Sequence, residues 1–372
     1  MPVPILLMAR ALDLGGSERQ LAEIARSLDP AEFTPHVACL QEGGFRDRDL
    51  RDWKIPILSL GVSSFIGPSA LSGAVRLARY LRKHSIQLVH TFDVPMNLFG
   101  APLARMFRTP RVVSSQRAYR ALTPGLRRSF LRLTDRMVDA IVVNSQAVRS
   151  DLIENDCVSP ARIHLCYNGI DMDLFRRVRN RHEHPVVIGS ISALRPEKNL
   201  KTLLDAFARL DTQLDARLVI VGDGPSKTEL VSHAAKLGLD ERFVIEPATR
   251  DVAARLATID IFVLPSLTES CSNSLIEAMA CECCVIASNA GGNSEIVTDQ
   301  ETGLLFEPGS DALQQCLNRL IHCHDLRGGL AKSAAESVRE RFTIARAIRR
   351  MSAIYRQVLG SPPANADDRS AK

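Results

Sequence analysis

Along almost the whole chain, short apolar runs rich in β-branched residues alternate with stretches whose apolar positions recur every three or four residues. The runs "PILLMA" (4–9), "HVACL" (36–40), "LVHTF" (88–92), "RVVSS" (111–115), "AIVVNS" (140–145) and "IHLCYN" (163–168) predict strands. They are apolar nearly throughout, as strands covered on both faces of a sheet are. Helical periodicity lies between them, for instance over 17–28 and 70–83.

The charged stretch "RRVRNRHEHP" (176–185) has no apolar period, and the alternation restarts after it. "VVIGSIS" (186–192), "RLVIVGDG" (217–224), "RFVIE" (242–246), "IDIFVLPS" (259–266) and "CCVIASN" (283–289) predict a second set of strands. Strands alternating with helices imply parallel sheets covered by helices, so the expected fold class is α/β, with two Rossmann-like α/β/α units joined near 176–185.

The final periodic segment, "FTIARAIRRMSAIYRQVL" (342–359), aligns Ile344, Ile348, Met351, Ile354, Tyr355 and Val358 and predicts an amphipathic helix. The polar, Pro/Gly-rich 360–372 predicts a disordered tail. The expected division is therefore 1–178, 179–341, the helix 342–359 and the tail 360–372.

Composition agrees with this organisation. A chain of 372 residues with 45% hydrophobic content fits two ordinary cores. No stretch approaches the roughly 20 apolar residues that span a bilayer, and the first apolar run is too short for a secretory signal. A cytosolic protein is the expectation. Nine cysteines, an odd number without regular spacing, read as reduced thiols. Cys271, Cys281, Cys283 and Cys284 contain no paired Cys-x2-Cys set, so no metal site is expected.

Charge is unevenly distributed. Residues 1–179 contain 25 Lys/Arg against 17 Asp/Glu, whereas the remainder contains 22 against 25. Within 101–134 lie eight arginines (105, 108, 111, 117, 120, 127, 128 and 132) and no acid. Three readings stay open: a solvated helix face, docking on anionic lipid at the inner face of a membrane, or contact with an acceptor that carries phosphate. Few aromatics are interleaved, which argues against nucleic acid.

The candidate chemistry lies in "TESCSNSLIEAMACECC" (268–284). "IDIFVLPS" predicts a buried strand ending at Pro265, and Ser272 or Asn273 is a good N-cap for a helix beginning "NSLIEAMA". Glu269 then lies in the loop and Glu277 inside the helix, with the helix N-terminus between them at the carboxyl end of a parallel strand. Open α/β folds bind ligands there, and a phosphate suits the free N–H groups. Carboxylates suit hydroxyls, so a ligand with a diphosphate between two sugars satisfies all three features. Arg195 and Lys198, in "ISALRPEKN" after the first strand of the second unit, would neutralise that diphosphate.

The blocks "GSISALRPEKNLKTLLDAF", "LVIVGDGP" and "PSLTESCSNSLIEAMACECCVIASNAGGNSEIV" resemble the signature blocks of the family 4 retaining glycosyltransferases, the group 1 glycosyl transferases of the two-Rossmann-domain (GT-B) type. "LGGSERQLAEIA" and "YNGIDMDLF" resemble that family's N-terminal glycine loop and interdomain turn. The resemblance implies two domains facing each other across a cleft that closes about 176–185, and a final helix that crosses back to the N-terminal domain. It implies a retaining transfer from a UDP- or GDP-type sugar to a hydroxyl of a glycan or lipid-linked acceptor, with no obligatory metal and no separate cofactor.

By position in the motifs, the resemblance gives Glu277 the ribose hydroxyls, Glu269 the donor sugar, and Arg195 and Lys198 the diphosphate. Backbone amides around Ser272, Asn273, Ser274 and Leu275 would hold phosphate, and Gly15 and Gly16 would let the first domain approach the donor sugar. The chain departs from the family at Glu282-Cys283-Cys284, where Gly-x-Pro is usual, and a local stability cost is expected there. Phe92 and Gln116 stand where family histidines fall, which leaves His90 or Arg117 to contact the sugar; on its own residues, His90 also reads as a satisfied histidine at a strand end. Two alternatives on the same architecture are a sugar-nucleotide epimerase or hydrolase, and a non-catalytic nucleotide-sugar binding subunit.

Overall fold

A computed structural model describes all residues except Leu14, Pro124, 177–184, Asp240 and 361–372. Most of the predicted linker and almost all of the predicted tail thus lie outside the described residues. The chain divides into two compact units, Met1–Gly169 together with the segment from Ile344 onward, and Ile170–Thr343.

The first unit is a seven-stranded sheet: β1 (Val3–Met8), β2 (Phe33–Cys39), β3 (Ile57–Ser59), β4 (Leu88–Thr91), β5 (Arg111–Gln116), β6 (Ala140–Val143) and β7 (Ile163–Leu165). All pairings are parallel and the spatial order is β3-β2-β1-β4-β5-β6-β7. The connecting helices are α1 (Gly16–Ser27), α2 (Phe45–Asp52), α3 (Pro68–Lys83), α4 (Val94–Met106), α5 (Gly125–Asp135) and α6 (Gln146–Asp156). Strand order reverses between β1 and β4, the switch point of a doubly wound sheet.

The second unit repeats the plan with β8 (Val186–Ile191), β9 (Ala216–Val221), β10 (Phe243–Glu246), β11 (Ile261–Leu264), β12 (Cys284–Ser288) and β13 (Leu304–Phe306), in the order β10-β9-β8-β11-β12-β13. Its helices are α7 (Leu200–Ala208), α8 (Lys227–Lys236), α9 (Val252–Leu256), α10 (Asn273–Ala280), α11 (Asn293–Ile296), α12 (Ser310–His322) and α13 (His324–Arg341). Here the order reverses between β8 and β11. One apolar cluster includes Phe207, Ile220, Val263 and Ile286, and Phe262, Ile276, Met279 and Val285 are buried outside it.

The last helix, α14 (Ile344–Leu359), belongs to the first unit. Its apolar stripe puts Met351, Ile354 and Tyr355 into the same core as Leu21, Ile24 and Phe33. Arg356 pairs with Glu32 at 3.0 Å, and Arg350 donates to the Leu165 carbonyl at 2.9 Å. The opposite face of the first sheet is covered by α3, α4 and α6, through residues such as Leu77, Met96 and Leu152.

The strand pattern missed β3 and β13, each three residues long and too short to show a period. The compact units part after Gly169, whereas the charge pattern put the division at 178/179.

Candidate active site

Three loops leave the carboxyl edge of β8, β11 and β12 and are tied to one another. The loop after β8 lies against the "GDGP" turn after β9, because Leu194 N–H donates to Asp223 O at 2.9 Å and Ser226 N–H donates to Leu194 O at 3.0 Å. A Cβ at Gly224 would lie 2.4 Å from the Leu194 carbonyl oxygen, so only glycine lets these backbones approach. "GDGP" is in this sense a packing turn under the Arg195 loop.

The β8 and β11 loops are joined by Leu267 N–H donating to Glu197 O at 2.9 Å and by Asn199 Nδ2 donating to Pro265 O at 3.2 Å. Glu269 is held from three sides. Its Oε1 accepts from Lys198 Nζ and, at 2.9 Å, from Ser266 Oγ, while its carbonyl accepts from Gly292 N–H at 2.9 Å. Ser288 Oγ donates to Ser266 O at 2.6 Å, and Asn293 Nδ2 donates to Ser288 O at 3.1 Å. A ladder of small polar side chains thus runs across the strand ends beneath the carboxylate.

Ser272 caps α10, its Oγ accepting from Leu275 N–H at 3.4 Å, so the Leu275 amide serves the cap. The helix N-terminus formed by Ser272, Asn273 and Ser274 opens beside the switch point, and Glu277 sits inside the helix, almost fully buried. Arg195 is different: its side chain is 62% exposed and 3.9 Å from Glu197, a cation reaching into solvent. Ser192 Oγ and Asn293 Oδ1, both buried, have no hydrogen-bond partner among the described residues.

The structure therefore gathers Arg195, Lys198, Glu269, Glu277 and Ser272–Leu275 at one edge of the second unit. Sequence reasoning missed Ser266, Ser288 and Asn293, whose signal was a polar residue closing a buried apolar run or following a Gly-Gly pair. Glu282 adopts φ 55, the left-handed conformation the family's glycine would take at no cost, with Arg339 at 3.7 Å from its carboxylate. All nine cysteines are free. Among the described residues, no cluster of His, Cys, Asp and Glu has the arrangement of a metal site.

The first-unit candidates fare differently. Gly15 is the N-cap of α1 and Gly16 its first residue, but the Glu18 carboxylate fills the space beside Gly15, where a Cβ would meet Oε2 at 2.1 Å. Burial pushes the Glu18 carboxyl up.

His90 lies inside the first unit. It is fully buried, its Nδ1 lies 2.7 Å from Tyr355 Oη and its Nε2 2.9 Å from Ser115 Oγ, so both nitrogens have partners within the protein. Burial, with a smaller contribution from Arg117, pushes its pKa down to about 3, so the ring is neutral. In this fold the residue links α14 to β4 and β5. Arg117 donates to Asn168 Oδ1, and its guanidinium carbon is 6.0 Å from the Phe92 ring centroid.

Acids outside the arginine-rich segment 101–134 neutralise much of it. Arg120, itself buried, makes a bidentate pair with Asp135 at 2.7 and 2.8 Å. Arg105 pairs with Asp139 at 2.7 Å, and Arg128 and Arg132 pair with Asp156 at 3.1 and 2.7 Å. Burial raises the Asp156 pKa, but the hydrogen bonds from Arg132 and Arg128 outweigh it and hold the carboxyl below its usual range.

Two doubly wound parallel units, the second with its polar residues gathered at the switch point, define a GT-B-type α/β protein. Solved structures share this fold. The Anabaena HepE protein, crystallised with UDP and glucose, superposes with a TM-score of 0.82 at 22% identity, covering 94% of this chain and 98% of that one. Sucrose-phosphate synthase from Thermosynechococcus elongatus gives a TM-score of 0.85 at 19% identity, covering 96% and 99%.

The profile described as glycosyl transferases group 1 matches residues 171–337, and that of glycosyltransferase family 4 matches 14–174. The chain belongs to the family 4, group 1 glycosyltransferases. The Campylobacter jejuni N-acetylgalactosamine-N,N'-diacetylbacillosaminyl-diphospho-undecaprenol 4-alpha-N-acetylgalactosaminyltransferase is 30% identical over 59% of this chain and 60% of its own length. The Escherichia coli UDP-Gal:alpha-D-GlcNAc-diphosphoundecaprenol alpha-1,3-galactosyltransferase is 22% identical over 92% and 94%. Several curated relatives are matched over little more than half their length, 60%, 52% and 56%.

Proposed function

We propose that this protein transfers a sugar from a nucleotide diphosphate sugar to a hydroxyl of a glycan or lipid-linked acceptor, with retention of anomeric configuration and without an obligatory metal. The observation that carries this reading is the Lys198–Glu269–Ser266 contact beside the N-terminus of α10, with buried Glu277 behind it. Names of relatives support it: the C. jejuni and E. coli proteins are named for transfer to diphospho-undecaprenol-linked sugars.

In this reading the donor diphosphate lies against the α10 N-terminus, and Lys198 and Arg195 stabilise the charge that develops on it as it leaves. Glu277 accepts from the ribose hydroxyls, and Glu269, preset by Ser266 and Lys198, accepts from a donor-sugar hydroxyl. The bond from the anomeric carbon to the phosphate oxygen breaks, and the acceptor oxygen bonds that carbon on the same face. The acceptor proton passes to the departing phosphate. No residue of the chain needs to act as nucleophile. The reading also places the enzyme in the cytosol, working on an acceptor presented at the inner face of a membrane.

Calorimetric titration with UDP and with GDP, in chelator, tests the site on the parent protein and on Glu277→Ala. Binding of one nucleotide by the parent and its loss in the folded variant is the expected result. No binding of either nucleotide overturns it. Incubation with the donor sugar alone separates transfer from epimerisation or hydrolysis, because a transferase leaves most of the donor unchanged until acceptor is added. Proton NMR of the product then reads the anomeric configuration.

A further inference from the structure

We infer that the outer face of the first unit formed by α3, α4 and α5 docks on an anionic lipid bilayer. This deepens the reading of a lipid-linked acceptor by naming the surface on which such an acceptor would be met. The inference rests on where apolar side chains are exposed. Of the fourteen large hydrophobic residues exposed among the described residues, nine fall between Phe65 and Leu133, all on this one layer of helices.

On α5, Leu126, Phe130 and Leu133 follow at four- and three-residue steps and form one stripe, 80%, 58% and 54% exposed, while Leu131 and Thr134 face inward. Leu122, in the turn before the helix, adds to the stripe, and Met106 ends the neighbouring α4. On the other side of α4, the exposed Ile66, Leu71 and Val75 line the start of α3, and the Phe65 ring stacks on Phe99 of α4 at 5.2 Å. α4 packs against both α3 and α5, so these residues belong to one layer. The sheet's opposite face has its core filled by α14 and presents no comparable group.

The charge on this face selects the occupant. Between Trp53 and Thr134 the sequence holds thirteen Lys/Arg and one acid, Asp93. Asp93 is committed to capping α4 and to accepting from Arg10 N–H at 2.6 Å. The arginines that find acids are those turned toward Asp135, Asp139 and Asp156. Arg79, Arg82, Lys83, Arg108 and Arg127 are exposed and make no ion pair among the described residues, and Arg136 extends the set just beyond α5. An apolar stripe flanked by unpaired cations fits the boundary between headgroups and acyl chains of an anionic leaflet. No helix among the described residues is long and apolar enough to cross a membrane, so the contact is peripheral.

The test is sedimentation of the full chain with vesicles of phosphatidylcholine alone and of phosphatidylcholine mixed with phosphatidylglycerol. It compares the parent, Leu126→Asp/Phe130→Asp, and Val231→Asp at an exposed apolar site of the second unit. Far-UV circular dichroism and thermal unfolding of each variant show that the fold is intact, and UDP and GDP titrations read the proposed donor site separately. The expected result is binding that rises with phosphatidylglycerol, weakens with salt and falls by about ten-fold or more in the α5 variant, with Val231→Asp like the parent. Binding that ignores phosphatidylglycerol, or is equal in the α5 variant, overturns the inference. So does a dimer in solution that the α5 variant abolishes without any vesicle binding, because the face would then belong to a second copy. A protein that binds such vesicles but neither nucleotide leaves docking standing and removes the proposed donor site.

Discussion

Replacing His90 by Gln should change how the stability of the first unit depends on pH. In the fold the ring is fully buried between Tyr355 and Ser115, and its pKa lies at about 3, against 6.5 for a free histidine. As pH falls through 6.5 the unfolded chain takes up a proton at this residue and the folded protein does not. The contribution is therefore fully present above that pH and is lost as pH falls toward about 3. At about pH 5 the unfolded ring is protonated over roughly 1.5 pH units, so the loss is about 2 kcal/mol at ~1.4 kcal/mol per unit.

Urea unfolding can be followed by the fluorescence of Trp53, the chain's single tryptophan, which packs on the same core as Tyr355. The parent should lose about 2 kcal/mol more than His90→Gln between about pH 7.5 and about pH 5. His36 and His164, whose pKa values burial also lowers, are present in both proteins and cancel in the difference. A parent and variant separated by the same free energy at both pH values would refute the reasoning. It would mean that the folded ring takes up a proton over the same pH range as the unfolded one.

Glu282→Gly should stabilise the second unit by about 0.5–1 kcal/mol, because relief of the left-handed strain exceeds both the entropy of a freer unfolded chain and the weak contact with Arg339; calorimetric unfolding measures it. Arg120→Met should cost about 3–5 kcal/mol by leaving Asp135 buried without its partner, and Arg120→Met/Asp135→Leu should recover most of that loss in urea unfolding. Ser266→Ala removes one of two donors that hold the Glu269 carboxylate and should lower kcat/KM for the donor by about ten-fold with thermal stability nearly unchanged.

Both sheets were legible in the sequence because buried parallel strands are apolar along their whole length. Of the two strands missed, β3 offers only Ile57, Leu58 and Ser59, a span in which no pattern can develop. The charged residues gathered at one edge of the second unit were legible as well, since Glu269, Glu277, Arg195 and Lys198 lie beside strand ends. What the chain could not display was pairing across distance. The segment 101–134 reads as a run of unneutralised cations because its counter-charges, Asp135, Asp139 and Asp156, follow it. His90 reads in the sequence either as a satisfied histidine or as a sugar contact, and the hydroxyl that meets it in the fold comes from Tyr355, more than 250 residues later.

That distance also bears on how the protein is made. The first unit draws part of its core from α14, so until that helix is made one face of its sheet is covered only in part, by α1 and α2. The second unit is synthesised in full before the closing helix arrives. At roughly 5–20 residues per second the delay lasts on the order of ten to thirty seconds. During that interval Leu21, Ile24 and Phe33 lack the residues that cover them, and the nascent first unit is a client for any chaperone that binds exposed apolar surface.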